Sequence, residues 1–273
     1  YFYSNRVPNF CVGGKSFAEI GDKAMGGLLT WAPDDRWDGV FRVKKEIDAL
    51  HSVGTMLVAT HREDLENQLA VVQADGSEPG GLFYDVNLAY SNTEKMDFDA
   101  GGTAGGSIGW RNDYWTVKGV SDYYDKEYFP ANGLLKDDRY GTKSLGASAS
   151  YYRQLANGQG LFREISGNIS LTGRNTMDGR TQNHGIWVDG SVELRQQIYM
   201  QLSYYDARYR PVGDERGEFS DTLNHDHYWA TNLDFNTRSN SYGYGMYYAD
   251  GILGGGDYQY ITGYLWARPT RNT

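Results

Sequence analysis

Two histidines separated by one aspartate, in the run His225-Asp226-His227, are the first candidates for metal chemistry. Alternate side chains of an extended strand point to the same side, so the two imidazoles could bind one transition metal ion. Two ligands do not make a site, and the remaining histidines, His51, His61 and His184, lie in distant segments. We therefore predict that the histidines are solvent-exposed loop residues, and that the protein has no metal site and no cofactor.

Acidic side chains gather in three stretches that could bind calcium through carboxylate oxygens. These stretches contain Asp97 and Asp99, then Asp137 and Asp138, then Asp214, Glu215, Glu218 and Asp221. None of them has the spacing of a dedicated calcium-binding loop, whose ligands recur at fixed positions around a glycine. We interpret all three as solvated, negatively charged loops.

Paired carboxylates are the remaining candidates for catalysis. Asp189 and Glu193 could act as a general acid and a general base, as in glycoside hydrolysis. Both belong to the polar side of one predicted strand, where they could equally line a pore. The run Gly101–Gly106 lacks the Gly-Lys-Ser/Thr ending of a phosphate-binding loop. The sequence therefore favours a protein that is not an enzyme.

Composition and charge limit the class of protein. The 273 residues include 26 Lys and Arg and 35 Asp and Glu, which gives a formal net charge of −9. Acidic residues spread along the chain oppose binding to phosphates, so we expect no nucleic-acid partner. The 35 glycines and 23 tyrosines exclude a helical bundle. No stretch approaches the roughly 18 consecutive apolar residues of a transmembrane helix.

Alternation of apolar and polar side chains is the dominant pattern along the chain. About fifteen segments of roughly eight to thirteen residues fit a period of two better than a helical repeat. In the segment 83–90, Tyr84 and Leu88 fall on one side, while Asp85 and Asn87 fall on the other. The pattern predicts an antiparallel sheet with one apolar and one polar face.

The connections between these segments alternate in length from residue 76 onward. Short connections are predicted near 76–80, 112–113, 154–159, 196–197 and 238–241, and long ones at 92–101, 124–142, 173–184 and 208–227. All long loops then lie at one end of an up-and-down sheet, as in outer-membrane barrels. A short helix over 43–50 is an alternative to a strand end, because Val43, Ile47 and Leu50 have helical spacing.

Two sets of side chains would characterise such a barrel. Aromatic residues that could form interfacial girdles are Trp110, Tyr114, Trp115, Tyr228, Trp229, Tyr264 and Trp266. Polar residues that would line the lumen are Asp85, Asn87, Lys118, Asn168, Asp189, Glu193, Arg195, Gln201, Asn232 and Asp234. We predict an all-β fold, an antiparallel up-and-down transmembrane barrel of about 14–16 strands. It occupies residues 1–273 as one domain, either complete or part of a larger barrel.

Several short motifs resemble an uncharacterised bacterial outer-membrane β-barrel family. They are Tyr1-Phe2-Tyr3-Ser4-Asn5-Arg6, Gly13-Gly14-Lys15, Arg42-Val43, Ser52-Val53-Gly54, Thr60-His61-Arg62-Glu63, Trp115 and the loop Tyr128–Leu134. The loop is similar to a family Phe-Asn-Pro-Glu-x-Gly-Phe element, with Pro130-Ala131 in place of the Pro-Glu pair. In that family the barrel commonly follows a domain like carbohydrate-binding module family 9. The resemblance implies an outer-membrane barrel and assigns no catalytic residues.

The sequence as a whole therefore predicts a porin-like outer-membrane protein of a Gram-negative envelope, a channel, scaffold or surface receptor without enzymatic activity. Its expected partner is outer-membrane lipid, with glycans and other envelope proteins as further candidates. Two alternatives stay open: a soluble extracellular β protein that binds carbohydrate through aromatic platforms, and a structural subunit of an envelope assembly. If the lumen is open, its acidic excess predicts a preference for cations that shrinks as salt increases.

Overall fold

A single antiparallel sheet forms the described part of the protein. The structure, a computed structural model, describes residues 11–32, 35–94, 100–128, 141–155, 160–211, 220–238 and 242–267. Its strands are β1 (Val12–Ile20), β2 (Lys23–Ala32), β3 (Arg36–Glu46), β4 (His51–Arg62), β5 (Leu65–Ser77), β6 (Leu82–Glu94), β7 (Gly101–Arg111), β8 (Trp115–Tyr124), β9 (Thr142–Gln154), β10 (Phe162–Thr176), β11 (Thr181–Leu194), β12 (Ile198–Tyr209), β13 (Asn224–Phe235), β14 (Tyr242–Leu253) and β15 (Gly256–Ala267). The 15 strands are ordered in the sheet as they are in the sequence. This confirms the predicted all-β, up-and-down fold and its number of strands.

Strand pairing keeps like side chains together across the sheet. Between β10 and β11, Ile169 lies opposite Val188, and Asn168 lies opposite Asp189. Directly opposed residues share a face, so the alternation within each strand extends into apolar and polar rows that cross the sheet.

The two faces of the sheet differ sharply in exposure. We call the face that carries Leu88 and Leu202 the apolar face, and the opposite face, with Asp85 and Asp189, the polar face. Leu88 and Leu202 are 51% and 60% exposed, whereas Ser203 on the polar face is only 8% exposed. A soluble sandwich shows the reverse, because it buries its large apolar side chains between two sheets.

One region of the polar face contains a small hydrophobic core. We call it the Tyr128 cluster; its members are Met56, Val58, Leu69, Val71, Ala89 and Tyr128. Tyr128 belongs to the segment that follows β8, and its side chain is 2% exposed. The chain therefore covers part of its own polar face with a ring from a connecting segment.

The edges of the sheet are β1 and β15. The described ladder pairs each of them with one neighbour and does not pair them with each other. Every residue of β1 is exposed.

The predicted positions of the long loops agree with the strand order. The end of β8, the start of β9, the end of β12 and the start of β13 lie at one end of the sheet, which we call the long-loop end. The turns 112–114 and 195–197 and the end of β13 lie at the other end. Among the residues that the structure describes, no helix is long and apolar enough to cross a membrane.

The predicted long connection at 173–184 is wrong. β10 continues to Thr176 and β11 starts at Thr181, so a turn at 177–180 joins the two strands. The Arg180 amide donates to Thr176 Oγ1 at 3.1 Å, and Arg180 Nε donates to Asp178 Oδ2 at 2.8 Å. The Thr176 hydroxyl and the Arg180 guanidinium both donate to Asp178 and lower its pKa. The polar composition of this stretch indicated a loop, but backbone pairing with β9 and β12 keeps it in the sheet.

The alternative helix at 43–50 is also wrong, and the strand-end interpretation is correct. Val43 lies within β3, and 47–50 form a turn before β4. The Asp48 carboxylate accepts hydrogen bonds from the amides of Leu50 at 2.8 Å and His51 at 2.9 Å. This side chain mimics a backbone turn, and the Leu50 amide in particular lowers the pKa of Asp48.

Candidate functional site

The side chains predicted to line a lumen share the polar face. Asp85, Asn87, Lys118, Asn168, Asp189, Glu193, Gln201, Asn232 and Asp234 all lie within strands on this face. Arg195 lies in the turn after β11. Its guanidinium donates to the carbonyl oxygens of Gly160 at 2.8 Å and Leu155 at 3.2 Å. Arg195 therefore ties the turn after β11 to the residues that follow β9 and precede β10.

Three charged groups of this set, Asp189, Lys118 and Asp85, have partners on the polar face. Asp189 Oδ1 accepts hydrogen bonds from Trp187 Nε1 at 2.7 Å and from Asn168 Nδ2 at 3.3 Å. Lys118 Nζ lies 4.0 Å from Asp85 Oδ1, a distance that gives a weak, partly solvated ion pair.

The buried Glu193 forms an ion pair with the partly exposed Arg238 at the end of the sheet opposite the long-loop end. Arg238 donates to its two carboxylate oxygens at 2.8 and 2.7 Å, and the Thr237 hydroxyl donates at 3.0 Å. Such a two-pronged contact fixes geometry as well as charge. Glu193 thus ties β11 to the connection after β13. Asp189, four residues earlier on β11, has separate partners of its own.

A row of aromatic rings crosses the polar face from β11 to β15. Trp187 lies opposite Tyr205, Tyr205 opposite Tyr228, and Gly251 on β14 lies between Tyr228 and Tyr258. The ring centroids are 5.9 Å apart for Trp187 and Tyr205, and 5.2 Å apart for Tyr205 and Tyr228. Those of Tyr228 and Tyr258 are 6.0 Å apart, although a strand separates them.

Gly251 makes that last contact possible. A Cβ atom at this position would lie 2.6 Å from Tyr228 Cβ and 2.1 Å from the His227 carbonyl oxygen. The absence of a side chain lets the Tyr228 and Tyr258 rings meet over β14.

Two further tyrosines complete the row. Tyr260 stacks parallel to Tyr258 at 6.5 Å, and Tyr247 lies 5.9 Å from Tyr260. We call the complete set the aromatic track; its members are Trp187, Tyr205, Tyr228, Tyr247, Tyr258 and Tyr260.

Small side chains lie beneath and beside the aromatic track. Ser203, Ala207, Ala230 and Ala249 are 8%, 1%, 3% and 0% exposed. They belong to a single-layer sheet, so their burial comes from neighbouring side chains on the same face. The rings of the track flank these small residues on the same face, and successive rings from Trp187 to Tyr258 are tilted to one another by 58°, 40° and 64°.

The predicted girdle aromatics divide between the two faces. Trp110, Trp115 and Trp229 lie on the apolar face, Tyr114 lies in the turn before β8, and Tyr228, Tyr264 and Trp266 lie on the polar face. Tyr264 Oη donates to Asn232 Oδ1 at 3.2 Å and also to Asp234. A girdle requires outward rings, so the last three residues depart from that expectation. These three residues were predicted as girdle residues because they lie near strand ends. Their positions in the two-residue period of the strands place them on the polar face.

The histidines differ from the loop residues that we predicted. His225 and His227 lie in β13, and their ring centroids are 5.0 Å apart. His225 Nε2 lies 3.2 Å from Asp206 Oδ2 on the neighbouring strand. His51 and His61 lie in β4, and His184 lies in β11. In the described ranges, no group of three or more His, Cys, Asp or Glu side chains is placed to hold a metal ion.

A serine that the sequence reasoning missed stands in a Gly-x-Ser-x-Gly pattern. Ser107 is flanked by Gly105 and Gly109, a spacing found at the nucleophile of many hydrolases. That chemistry requires a sharp turn from strand to helix, whereas Ser107 lies inside β7 and donates its hydroxyl hydrogen to Asp85. The local geometry therefore does not match a nucleophile elbow.

Several predicted features fall outside the described residues. They are the motif Tyr1–Arg6, the loop portion 129–134, and the acidic residues Asp97, Asp99, Asp137, Asp138, Asp214, Glu215 and Glu218. Asp221 is described, and one of its carboxylate oxygens lies 3.5 Å from Arg180 Nη1.

Comparison with protein families and curated proteins does not indicate a function, so the functional interpretation rests on the geometry. No family model matches the chain, and a search of curated proteins finds no significant match.

Proposed function

We propose that this protein is a porin-like β-barrel of the bacterial outer membrane and acts as a non-enzymatic channel for solutes. One observation carries the proposal. A single-layer sheet exposes large apolar side chains along one face and gathers polar side chains on the other.

The apolar face supports contact with lipid. Its exposed side chains include Leu57, Leu88, Leu145, Leu202, Ile261 and Leu265. Burying a side chain of this kind stabilises a protein by about 1.5–3 kcal/mol. Contact with lipid acyl chains provides this burial, whereas exposure to water does not. The soluble carbohydrate-binding alternative would leave this entire face in water.

Closure of the sheet is part of the proposal. Hydrocarbon offers no partner to the amides and carbonyls of an open edge, so a membrane-spanning sheet must pair all its edges. The expected partners are therefore outer-membrane lipid on the apolar face and a paired neighbour for β1 and for β15.

The polar face supports a water-filled lumen. Asp189 and Asp234 lie on it, and the Lys118–Asp85 pair is partly solvated. Solvated carboxylates along such a wall attract cations and give a channel its charge preference.

Planar bilayer recordings on the purified full chain test the proposal. We expect discrete conductance steps and a reversal potential that indicates cation preference in a potassium chloride gradient. We also expect the folded protein to require detergent or lipid. A folded protein that stays dispersed in plain buffer and gives no conductance would contradict the proposal.

A further inference from the structure

We propose that the aromatic track binds neutral oligosaccharides along the polar face of β11–β15. This inference rests on the proposed function, because a hydrated lumen gives a soluble ligand access to the rings. Its basis is the juxtaposition of six aromatic rings and buried small side chains on a face that is otherwise polar.

The track is continuous enough for a chain-like ligand. Successive centroid distances from Trp187 through Tyr205 and Tyr228 to Tyr258 are 5.9, 5.2 and 6.0 Å. Five neighbouring strands at a spacing of about 4.8 Å span roughly 19 Å. A surface of this length exceeds a single sugar ring and fits a linear oligosaccharide laid across the strands.

The rings offer the two kinds of contact that a sugar needs. The C–H groups on the face of a pyranose ring pack against the negative face of an aromatic π system. The hydroxyl groups at its rim require hydrogen-bonding partners. Over the described ranges, the hydroxyls of Tyr205, Tyr228, Tyr247, Tyr258 and Tyr260 form no hydrogen bond with another protein group. Each can therefore donate to and accept from a ligand.

The carboxylates beside the track differ in what they can offer a ligand. Asp189 accepts the Trp187 indole hydrogen bond at 2.7 Å. Asp226, which lies on the polar face beside the track, is buried and accepts the Gly254 amide at 2.8 Å. Asp226 is thus engaged in holding the wall, whereas both hydrogen bonds to Asp189 go to Oδ1 and leave Oδ2 able to accept a sugar hydroxyl. A ligand rich in hydroxyl groups can use this acceptor together with the tyrosine hydroxyls, which an organic amine cannot do to the same extent.

Isothermal titration calorimetry on the full chain in detergent tests the inference. The probes are maltohexaose, cellohexaose and chitohexaose as neutral linear sugars, and spermine as a cation. We expect saturable binding of at least one hexasaccharide that persists at high salt, and binding of spermine only at low salt, because salt screens the attraction of a cation to the carboxylates of this face. Failure of all three sugars, or saturable binding of spermine alone, would overturn the inference.

Matched variants on one strand identify the surface that binds. Tyr205→Ala removes a ring of the track, and Tyr204→Ala removes the neighbouring ring on the apolar face. We expect Tyr205→Ala to weaken sugar binding about tenfold and Tyr204→Ala to leave it unchanged. Far-ultraviolet circular dichroism verifies that both variants keep the sheet. Equal effects of the two variants would overturn the assignment to the track.

The two proposals fail separately. Sugar binding without conductance would retain the track as a binding surface and remove the channel. Conductance without sugar binding would retain the channel and remove the track.

Discussion

Two regions of the polar face, the Tyr128 cluster and the aromatic track, are packed differently. In the Tyr128 cluster, a connecting segment returns over the sheet and its ring completes a small hydrophobic core with Met56, Leu69 and Val71. On the aromatic track, rings from the strands themselves flank alanines and a serine, and no described connecting segment belongs to the row. The first region is filled by the chain itself. The second is lined with rings whose hydroxyls remain available.

A single glycine explains much of this contrast. A Cβ atom at Gly101 would lie 2.3 Å from the Tyr128 amide nitrogen and 2.4 Å from the Glu127 carbonyl carbon. The segment after β8 can approach the sheet only because β7 has no side chain there. Both regions thus depend on a glycine, but Gly101 admits a connecting segment that fills the wall, whereas Gly251 lets two rings of the track meet.

Removing the ring of Tyr128 has the largest expected effect. Tyr128→Ala leaves a cavity in the Tyr128 cluster and should lower the free energy of unfolding by about 3–5 kcal/mol. Guanidinium unfolding of the lipid-reconstituted protein measures the loss. Tyr258→Ala on the track is the matched variant and should cost only about 1 kcal/mol. Equal losses would contradict the distinction between a filled and an open region.

Arginine substitutions on the apolar face, opposite the Tyr128 cluster and opposite the track, test whether lipid contacts the sheet at both regions. Leu57 lies on the apolar face of β4, behind the Tyr128 cluster, and Leu202 lies on the apolar face of β12, behind the track. Leu57→Arg and Leu202→Arg should each lower stability by about 2–4 kcal/mol in lipid. Leu202→Met serves as the neutral control. A penalty at only one position would restrict the membrane-facing surface to that region.

Adding a side chain at Gly101 in β7 should destabilise the Tyr128 cluster selectively. Gly101→Ala places a methyl group against the Glu127–Tyr128 backbone and should cost about 1–3 kcal/mol. Gly119→Ala in β8 is the control, because the nearest atom to its Cβ lies 3.9 Å away. Unfolding measurements on both variants give the difference. A stable Gly101→Ala protein with conductance identical to the parent would show that Tyr128 does not depend on this clearance.

Neutralising carboxylates beside the track has the smallest expected effect. Asp189→Asn together with Asp234→Asn should reduce the ratio of potassium to chloride permeability by about two- to threefold at low salt. The reversal potential in a salt gradient measures this ratio. Asp64→Asn, in the turn between β4 and β5, is the control and should leave the ratio unchanged. Glu193 is unsuitable for this test, because it is held by Arg238 and its loss would disturb the wall itself.

Alternation of side chains predicted much of the fold. Leu202 and Ser203 follow the period of two, and the structure places them on opposite faces as their types require. The turn at 177–180 was missed because the strand ends on either side of it carry polar residues on both faces. Without knowledge of strand pairing, such a sequence pattern indicates a loop. Strand register depends on contacts between segments, which a single sequence does not display.

The aromatic track and the Tyr128 cluster escaped prediction for related reasons. Tyr205 and Tyr228 are far apart in sequence, and only the register of β12 with β13 brings their rings to 5.2 Å. Tyr128 belongs to a connection whose return over β7 depends on Gly101. The period within each strand could have assigned Tyr228 to the polar face, but its partners required the whole sheet.

The strand order has a kinetic consequence. Each strand pairs with its neighbour in the sequence, so every step of assembly closes one local loop, and even the longest of these connections adds little chain entropy cost. The sheet can grow one hairpin at a time from any starting pair. At each stage, however, the growing edge presents unpaired amides and carbonyls that can capture another chain. Rapid addition of the next hairpin, or protection of the edge by a chaperone, then decides between maturation and aggregation.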